Sequence, residues 1–147
     1  MISGSRVLSK SSLPFPPEGF VRQQIRIYLR EVLKNHKEIE VNVGDAIGVD
    51  EIATGLLAGD CRNINCLKNM RVKVNVYHKG DTPRGDTERK FNYIGGFESH
   101  RTRDDALIAL STHYLFIRAG GYTSAGTTKN IEKLRNLGTK NSTIIDI

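Results

Sequence analysis

The chain has 147 residues, of which 38% are apolar, and 22 Lys and Arg against 16 Asp and Glu give it a net charge of +6. This length and composition suit one domain with its own core and exclude an intrinsically disordered chain. The longest apolar run, residues 106–110, is far shorter than the roughly 20 residues that span a bilayer, so no membrane segment is predicted. The first six residues lack the apolar stretch of a secretory signal, and we therefore expect a single cytoplasmic domain over residues 1–147.

The cysteines and histidines do not indicate a metal site. Cys61 and Cys66 have no second pair at zinc-ligand spacing, and we expect them to be free thiols. His78, His100 and His113 are too scattered to form a recognisable ligand pattern. No metal is therefore predicted.

The first half of the chain alternates between strand and helix. Residues 1–2 can form only the end of a short first strand, and a helix begins at residue 18, where apolar residues recur at helical spacing. A second strand is predicted over 39–43 and a second helix over 49–57. Alternating valines predict a third strand over 72–77.

The second half continues the alternation after a long interruption. Residues 81–100 contain proline and several glycines, which predicts an irregular loop of the kind that usually carries function. A helix over 104–112 leads into an apolar strand over 114–117. A helix over 127–137 and a last strand over 143–147 follow.

This order of elements is typical of a three-layer α/β/α domain with a mostly parallel sheet. Right-handed crossovers leave few ways to wind it, and we expect the strand order 3-2-1-4-5. Ligands of such sheets bind beyond the carboxyl ends of the strands, where the winding reverses. That point is predicted between the first and fourth strands.

Three segments rich in glycine and small polar residues leave the strands at this edge of the sheet. They cover residues 3–6 after the first strand, 44–51 after the second and 119–128 after the fourth. Glycines let the backbone approach a phosphate, and the amides of a helix N-terminus bind anions. The predicted ligand-binding residues are Ser3, Gly4, Ser5, Arg6, Gly44, Asp45, Ala46, Gly48, Asp50, Gly120, Gly121, Thr123, Ser124, Gly126, Thr127 and Thr128.

The charged residues among them each have two possible roles. Asp45 and Asp50 can accept hydrogen bonds from ribose hydroxyls, as acidic residues do in dinucleotide-binding folds. Alternatively, Asp45 is a turn residue, and Asp50 and Glu51 complement the dipole of the helix that follows. Arg6 can hold a phosphate through two hydrogen bonds or remain solvated.

Together these motifs resemble the SLOG superfamily, and most closely its small stand-alone YpsA-like members. The resemblance rests on Ser3-Gly4-Ser5-Arg6, Gly44-Asp45-Ala46, Gly48-Val49-Asp50, Arg103-Asp104, Ala119-Gly120-Gly121 and Ser124-Ala125-Gly126-Thr127. It spans nearly the whole chain. It implies a Rossmann-like domain that binds a nucleotide or a nucleotide-derived molecule and that forms a homodimer.

The superfamily also implies an enzymatic alternative, cleavage or transfer at the N-glycosidic bond of a nucleotide. Its hydrolases carry P-G-G-x-G-T-x-x-E, in which the glutamate assists cleavage. In this sequence Ala119 replaces the proline, and Asn130 occupies the position of the glutamate, with Glu132 two residues beyond it. Glu51 is then the candidate catalytic acid, without an assigned partner.

A third alternative is single-stranded nucleic-acid binding, as in the DprA-like members. The basic residues Arg22, Arg26, Arg30 and Lys34 recur every fourth residue along the first helix. Such a row can hold a phosphate backbone, but it is also typical of a solvated helix face. Aromatic residues of the predicted loop can likewise stack on a base or anchor the loop to the core; they are Phe91, Tyr93 and Phe97.

Overall fold

The computed structural model describes residues 1–4, 17–60, 71–84, 91–118, 125–139 and 141–147. Within these ranges six strands alternate with four helices. The strands are β1 (Ile2–Gly4), β2 (Glu38–Gly44), β3 (Arg71–Lys79), β4 (Asn92–Phe97), β5 (Tyr114–Arg118) and β6 (Ser142–Asp146). The helices are α1 (Pro17–Leu33), α2 (Val49–Asp60), α3 (His100–Ala109) and α4 (Ala125–Asn136). None of these helices is long and apolar enough to cross a membrane.

The six strands form one sheet in the order β4-β3-β2-β1-β5-β6, and each neighbouring pair runs parallel. The five predicted strands correspond to β3-β2-β1-β5-β6 and follow one another in the predicted order, but the sheet differs from the prediction by a sixth strand, β4, at the β3 edge. The winding reverses between β1 and β5. This is the arrangement of a Rossmann-like α/β fold, in which parallel strands are joined by helical crossovers.

The structure corrects the prediction of an irregular loop over residues 81–100. Asn92–Phe97 forms the edge strand β4, which pairs with the second half of β3. Its glycines suggest a loop by sequence, but they have a structural cause. A Cβ atom on Gly95 would overlap the ring of His78, and Gly96 has a φ of +83°. Gly95 therefore allows β4 to approach β3 closely, and Gly96 allows a backbone conformation that other residues rarely adopt.

Helix α3 also begins earlier than predicted, at His100 rather than residue 104. Ser99 caps the helix, because its hydroxyl accepts a hydrogen bond from the N–H of Thr102 while the Thr102 hydroxyl accepts one from the N–H of Ser99. This reciprocal capping box satisfies N–H groups that the helix leaves unpaired.

Each face of the sheet has its own apolar layer, which confirms the three-layer architecture. On one face α1 and α2 contribute buried residues at helical spacing, among them Val21, Ile25, Leu29, Val49 and Leu56. On the other face α3 and α4 contribute Leu107, Ile108, Ile131 and Leu134, which surround Phe116 of β5. A sheet covered on both faces leaves the ends of its strands as the accessible polar edges.

A row of asparagines fixes the register of β2, β3 and β4. The amide of Asn75 donates to Oδ1 of Asn42 at 2.8 Å, and the amide of Asn92 donates to Oδ1 of Asn75 at 3.0 Å. These three residues are register partners across the strands. A slip of one residue would turn the amides toward the apolar layer of α1 and α2, so the row determines which side chains of β4 reach that layer.

Candidate functional site

The carboxyl ends of β1, β2 and β5 meet at the point where the winding reverses. Gly4 pairs with Ile117, and a Cβ atom on Gly4 would overlap both the carbonyl oxygen of Ile117 and the side chain of Val49. Only glycine therefore allows β1, β5 and the start of α2 to come this close. The described residues of the three predicted segments are brought to one edge of the sheet.

The predicted residues occupy different environments at this edge. Ser3, Gly4 and Thr128 are half-buried, Gly126 is exposed, and Gly44, Asp45, Ala46, Gly48, Asp50 and Thr127 are buried. Gly48 has a φ of +108°, which favours glycine in the turn between β2 and α2. Ser5, Arg6, Gly120, Gly121, Thr123 and Ser124 lie outside the described residues.

Asp45, at the end of β2, binds two arginines. Its Oδ1 accepts hydrogen bonds from Nη1 of Arg103 at 2.7 Å and from Nη2 of Arg84 at 2.8 Å, while Oδ2 accepts from Nε and the backbone N–H of Arg84. Its side chain is only 1% exposed. Burial raises the pKa of Asp45, but the hydrogen bonds and charges of Arg84 and Arg103 outweigh this effect and hold the pKa at about 2. Asp45 is therefore a permanent anion that organises this edge.

Arg103 extends this network to α3 and α4. Its Nε and Nη2 atoms donate to Oδ1 of Asp104 at 2.9 and 2.7 Å, and the amide of Asn130 donates to Oδ2 of Asp104 at 3.1 Å. The side chain of Arg103 is 6% exposed. A continuous chain of polar contacts thus joins the end of β2 to the first half of α4.

Asp50 is the second buried carboxyl group of the edge. Its Oδ2 accepts a hydrogen bond from the N–H of Ala46 at 3.3 Å, and Oδ1 is buried with no hydrogen-bond partner among the described residues. A Cβ atom on Gly44 would overlap Oδ2, so glycine is needed beneath the carboxyl group. Burial raises the pKa of Asp50 to about 7, although the charge of Arg103 acts in the opposite direction. Asp50 therefore holds a proton for part of the time at neutral pH.

A cavity of about 410 Å³ opens beside Asp45, between the start of α2 and the strands β3 and β4. Its walls include two aromatic side chains of the β4 region, two polar side chains of α2, and Arg84; these are Phe91, Tyr93, Glu51, Thr54 and Arg84. Its volume is typical of a small-molecule site. A smaller hollow of about 210 Å³ lies at the opposite, amino-terminal edge of the sheet, away from the converging segments.

Sequence reasoning misses two residues of this site. Arg84 lies in the predicted loop, where no periodic pattern marks it. Arg103 enters the sequence argument only through the Arg103-Asp104 pair of the resemblance. The sequence signal that could identify Arg103 is an adjacent Arg-Asp pair in the first turn of a helix. The aspartate of such a pair can orient the arginine side chain through hydrogen bonds.

Comparison with known proteins adds no assignment for this chain. No protein-family model, curated protein or solved structure matches it. In the described part of the chain, no group of three or more His, Cys, Asp or Glu residues is arranged to hold a metal ion. The function is therefore inferred from the residues and geometry of the chain itself.

Proposed function

We propose that this chain binds a nucleotide or a nucleotide-derived molecule, with the phosphate at the carboxyl ends of β1 and β5, as a member of the SLOG superfamily. The observation that carries this proposal is the strand order, which reverses between these two strands. Open parallel sheets bind ligands at such a reversal because the adjacent loops diverge there and leave a crevice. The close contact of Gly4 with Ile117 supports it, since it keeps side-chain bulk away from the floor of the crevice.

The start of α4 supplies the expected anion-binding groups. A helix leaves its first N–H groups unpaired, and these groups attract a negative charge to the helix N-terminus. Beyond its own helix and chain neighbours, no atom of the described residues lies within 4 Å of a Cβ atom built on Gly126, which leaves room for a ligand on that side. The half-buried hydroxyl of Thr128 lies in the same turn. These groups suit a phosphate better than an uncharged ligand.

The two alternative functions have less support. Asn130, at the position of the hydrolase glutamate, is buried and bound to Asp104, and Glu132 is exposed. In the predicted basic row, Arg22 of α1 pairs with Glu18, and Lys34, directly after α1, pairs with Glu31, at 2.8 and 2.7 Å. Two of the four positive charges proposed to hold nucleic acid are thus compensated by neighbouring glutamates of α1. We therefore favour ligand binding over catalysis or nucleic-acid binding.

Two matched glycine variants test the phosphate site. Gly126→Asp introduces a carboxylate at the start of α4, and Gly19→Asp introduces one at the start of α1. Beyond the helix itself, a Cβ atom at either position meets no atom of the described part of the chain within 4 Å. Each added carboxylate lies near the positive end of a helix dipole, which stabilises the helix, so both proteins should fold. We expect Gly126→Asp to weaken nucleotide binding at least tenfold in calorimetry and Gly19→Asp to leave it unchanged, because only the first carboxylate repels the phosphate.

The wild-type protein should be stabilised thermally by nucleotides. At ligand concentrations of about 100 times Kd, we expect the melting temperature to rise by roughly 5 °C or more. A screen of nucleoside monophosphates, nucleotide sugars and NAD-type compounds without any stabilisation would contradict the proposal. The resemblance also leads us to propose a homodimer, which light scattering on the purified protein tests.

A further inference from the structure

We infer that the cavity beside Asp45 binds the base of the nucleotide, and that it selects a purine whose edge presents N–H donors, as guanine does. This inference rests on the proposed function, because it assigns a second part of the same ligand. The base then lies beside the end of β2, between the start of α2 and the strands β3 and β4, and the phosphate lies at the ends of β1 and β5.

The aromatic wall of the cavity suits a flat ring. Phe91 and Tyr93 both line it, and both are half-buried, so part of each ring faces open space while part packs on the core. Phe97, the third aromatic residue of this segment, packs instead against Tyr77 on the opposite face, with ring centroids 6.0 Å apart. The sheet thus directs two aromatic residues to the cavity and keeps the third one away. Bases stack on such rings with little dependence on their identity.

The charges of the cavity disfavour phosphate. Its cation, Arg84, is already held by Asp45 through its Nε and Nη2 atoms and its backbone N–H. Glu51 adds a carboxylate to the wall. A phosphate in this cavity would gain little from Arg84, whose charge Asp45 already neutralises, and would be repelled by the carboxylate of Glu51. An uncharged base is not repelled by Glu51 and does not depend on the charge of Arg84.

The polar side chains that α2 contributes to the wall accept hydrogen bonds. The Thr54 hydroxyl donates its proton to the carbonyl oxygen of Glu51 at 2.9 Å, so its oxygen is left as an acceptor. The Glu51 carboxylate accepts only, and it can accept from two adjacent N–H groups at once. Among the common bases, guanine presents two adjacent donors on one edge. The wall is therefore complementary to a guanine edge.

Ile47 gives separate support for an occupant. It lines the cavity and yet is 60% exposed, and exposed apolar surface at the wall of a cavity is buried when a ligand enters. The spacing also agrees. Adjacent strands lie about 4.8 Å apart, so the cavity and the reversal point, two to three strand spacings apart, are separated by about 10 to 14 Å. A ribose with one or two phosphates bridges such a distance.

The test is calorimetric titration of the full chain and three variants with GMP, IMP, AMP and ribose 5-phosphate. IMP lacks only the exocyclic amine of GMP, and ribose 5-phosphate lacks the base. We expect Phe91→Leu to weaken GMP binding about tenfold, because it removes stacking but keeps apolar bulk, and to leave ribose 5-phosphate binding unchanged. Phe97→Leu, the matched control on the opposite face, should bind GMP as the wild type does.

Glu51→Gln tests the base edge. The wild type should bind GMP about tenfold more tightly than IMP. The variant should bind the two about equally, because its amide replaces one acceptor oxygen with an NH2 donor and cannot accept from two adjacent N–H groups side by side. Equal GMP affinity in Phe91→Leu, Glu51→Gln and the wild type would overturn the inference while leaving the proposed function standing if Gly126→Asp still weakens binding. Tighter binding of AMP than of GMP would overturn the choice of base. Binding of none of these ligands, nor of any other nucleotide, would overturn both proposals.

Discussion

Nη1 of Arg103 on α3 lies 2.7 Å from Oδ1 of Asp45 at the end of β2, and both side chains are almost completely buried. Two charges removed from water are tolerated only when each is matched by a partner at good geometry. Asp104 supplies the second carboxylate for Arg103, and Arg84 supplies the second cation for Asp45. The pair thus connects α3 to the carboxyl edge of the sheet, where the proposed ligand binds.

Asp45→Asn should strongly destabilise the fold. The change removes one carboxylate from a buried guanidinium, and we expect a loss of about 2 to 4 kcal/mol of unfolding free energy, measured by urea denaturation. Asp146→Asn is the matched control, because Asp146 binds Arg118 through two hydrogen bonds but is exposed. It should leave the urea midpoint nearly unchanged. Equal effects of the two substitutions would show that the buried network does not stabilise the edge.

Asp50 should make the protein less stable as the pH rises from about 4 to 7. Its pKa in the fold is about 7 against 3.8 when unfolded, so the folded state binds more protons in this window and loses stability as they dissociate. Asp50→Asn mimics the protonated form, and at pH 8 it should be more stable than the wild type by up to about 4 kcal/mol. Urea unfolding from pH 4 to pH 8 measures this. Parallel pH profiles for the two proteins would contradict the raised pKa.

Gly4→Ala should destabilise the centre of the sheet. Its Cβ atom overlaps the backbone oxygen of Ile117, which cannot move without separating β1 from β5, and we expect a cost of about 1 to 3 kcal/mol. In Gly19→Ala, within α1, the new Cβ atom meets no atom of the described residues outside the helix, and the change should stabilise the protein by about 0.5 kcal/mol through helix propensity. Thermal melts of both variants distinguish the two positions. A stabilising effect of Gly4→Ala would refute the close packing at the reversal point.

Asn75→Ala should break the asparagine row at its centre. It leaves Oδ1 of Asn42 and the amide of Asn92 without their partner, at a cost of about 1 to 3 kcal/mol. The exposed side chain of Asn141 donates a long hydrogen bond, of 3.4 Å, to the carbonyl oxygen of Thr112, and Asn141→Ala should change the unfolding free energy by less than about 0.5 kcal/mol. Hydrogen exchange should show faster opening of β4 in Asn75→Ala only. Unchanged exchange in β4 would mean that the row does not hold the edge strand.

Much of the fold is predictable because burial of one face of a helix or strand produces a regular spacing of apolar residues in the sequence. Val21, Ile25 and Leu29 are spaced by four residues since one side of α1 packs on the sheet, and the alternating valines of β3 reflect one buried face. The sequence of strand β4 has no such regular spacing of apolar residues. Glycine is needed at position 95 because a Cβ atom there would overlap the ring of His78, which lies 17 residues earlier in the chain. By sequence alone, glycine at this position favours a loop.

The charge states of the site are not predictable in this way. Asp45 and Asp50 lie five residues apart in one segment, and by sequence both are either ligand-binding or structural carboxylates. The fold gives Asp45 two arginines and a pKa of about 2, and it gives Asp50 a buried position and a pKa of about 7. Opposite shifts arise because one group gains compensating charges and the other mainly loses water.

The sequence alone determined the α/β class, the order of the five strands that it predicts and the edge at which glycine-rich segments end, since these follow from periodicity and the handedness of crossovers. Only the tertiary structure decided which side chains meet at that edge. Arg84 and Arg103 reach Asp45 across 39 and 58 residues of chain, and Phe91 and Tyr93 reach the cavity through the register of an edge strand. Contacts at such separations leave no pattern in neighbouring residues, because they are fixed by the packing of the whole sheet.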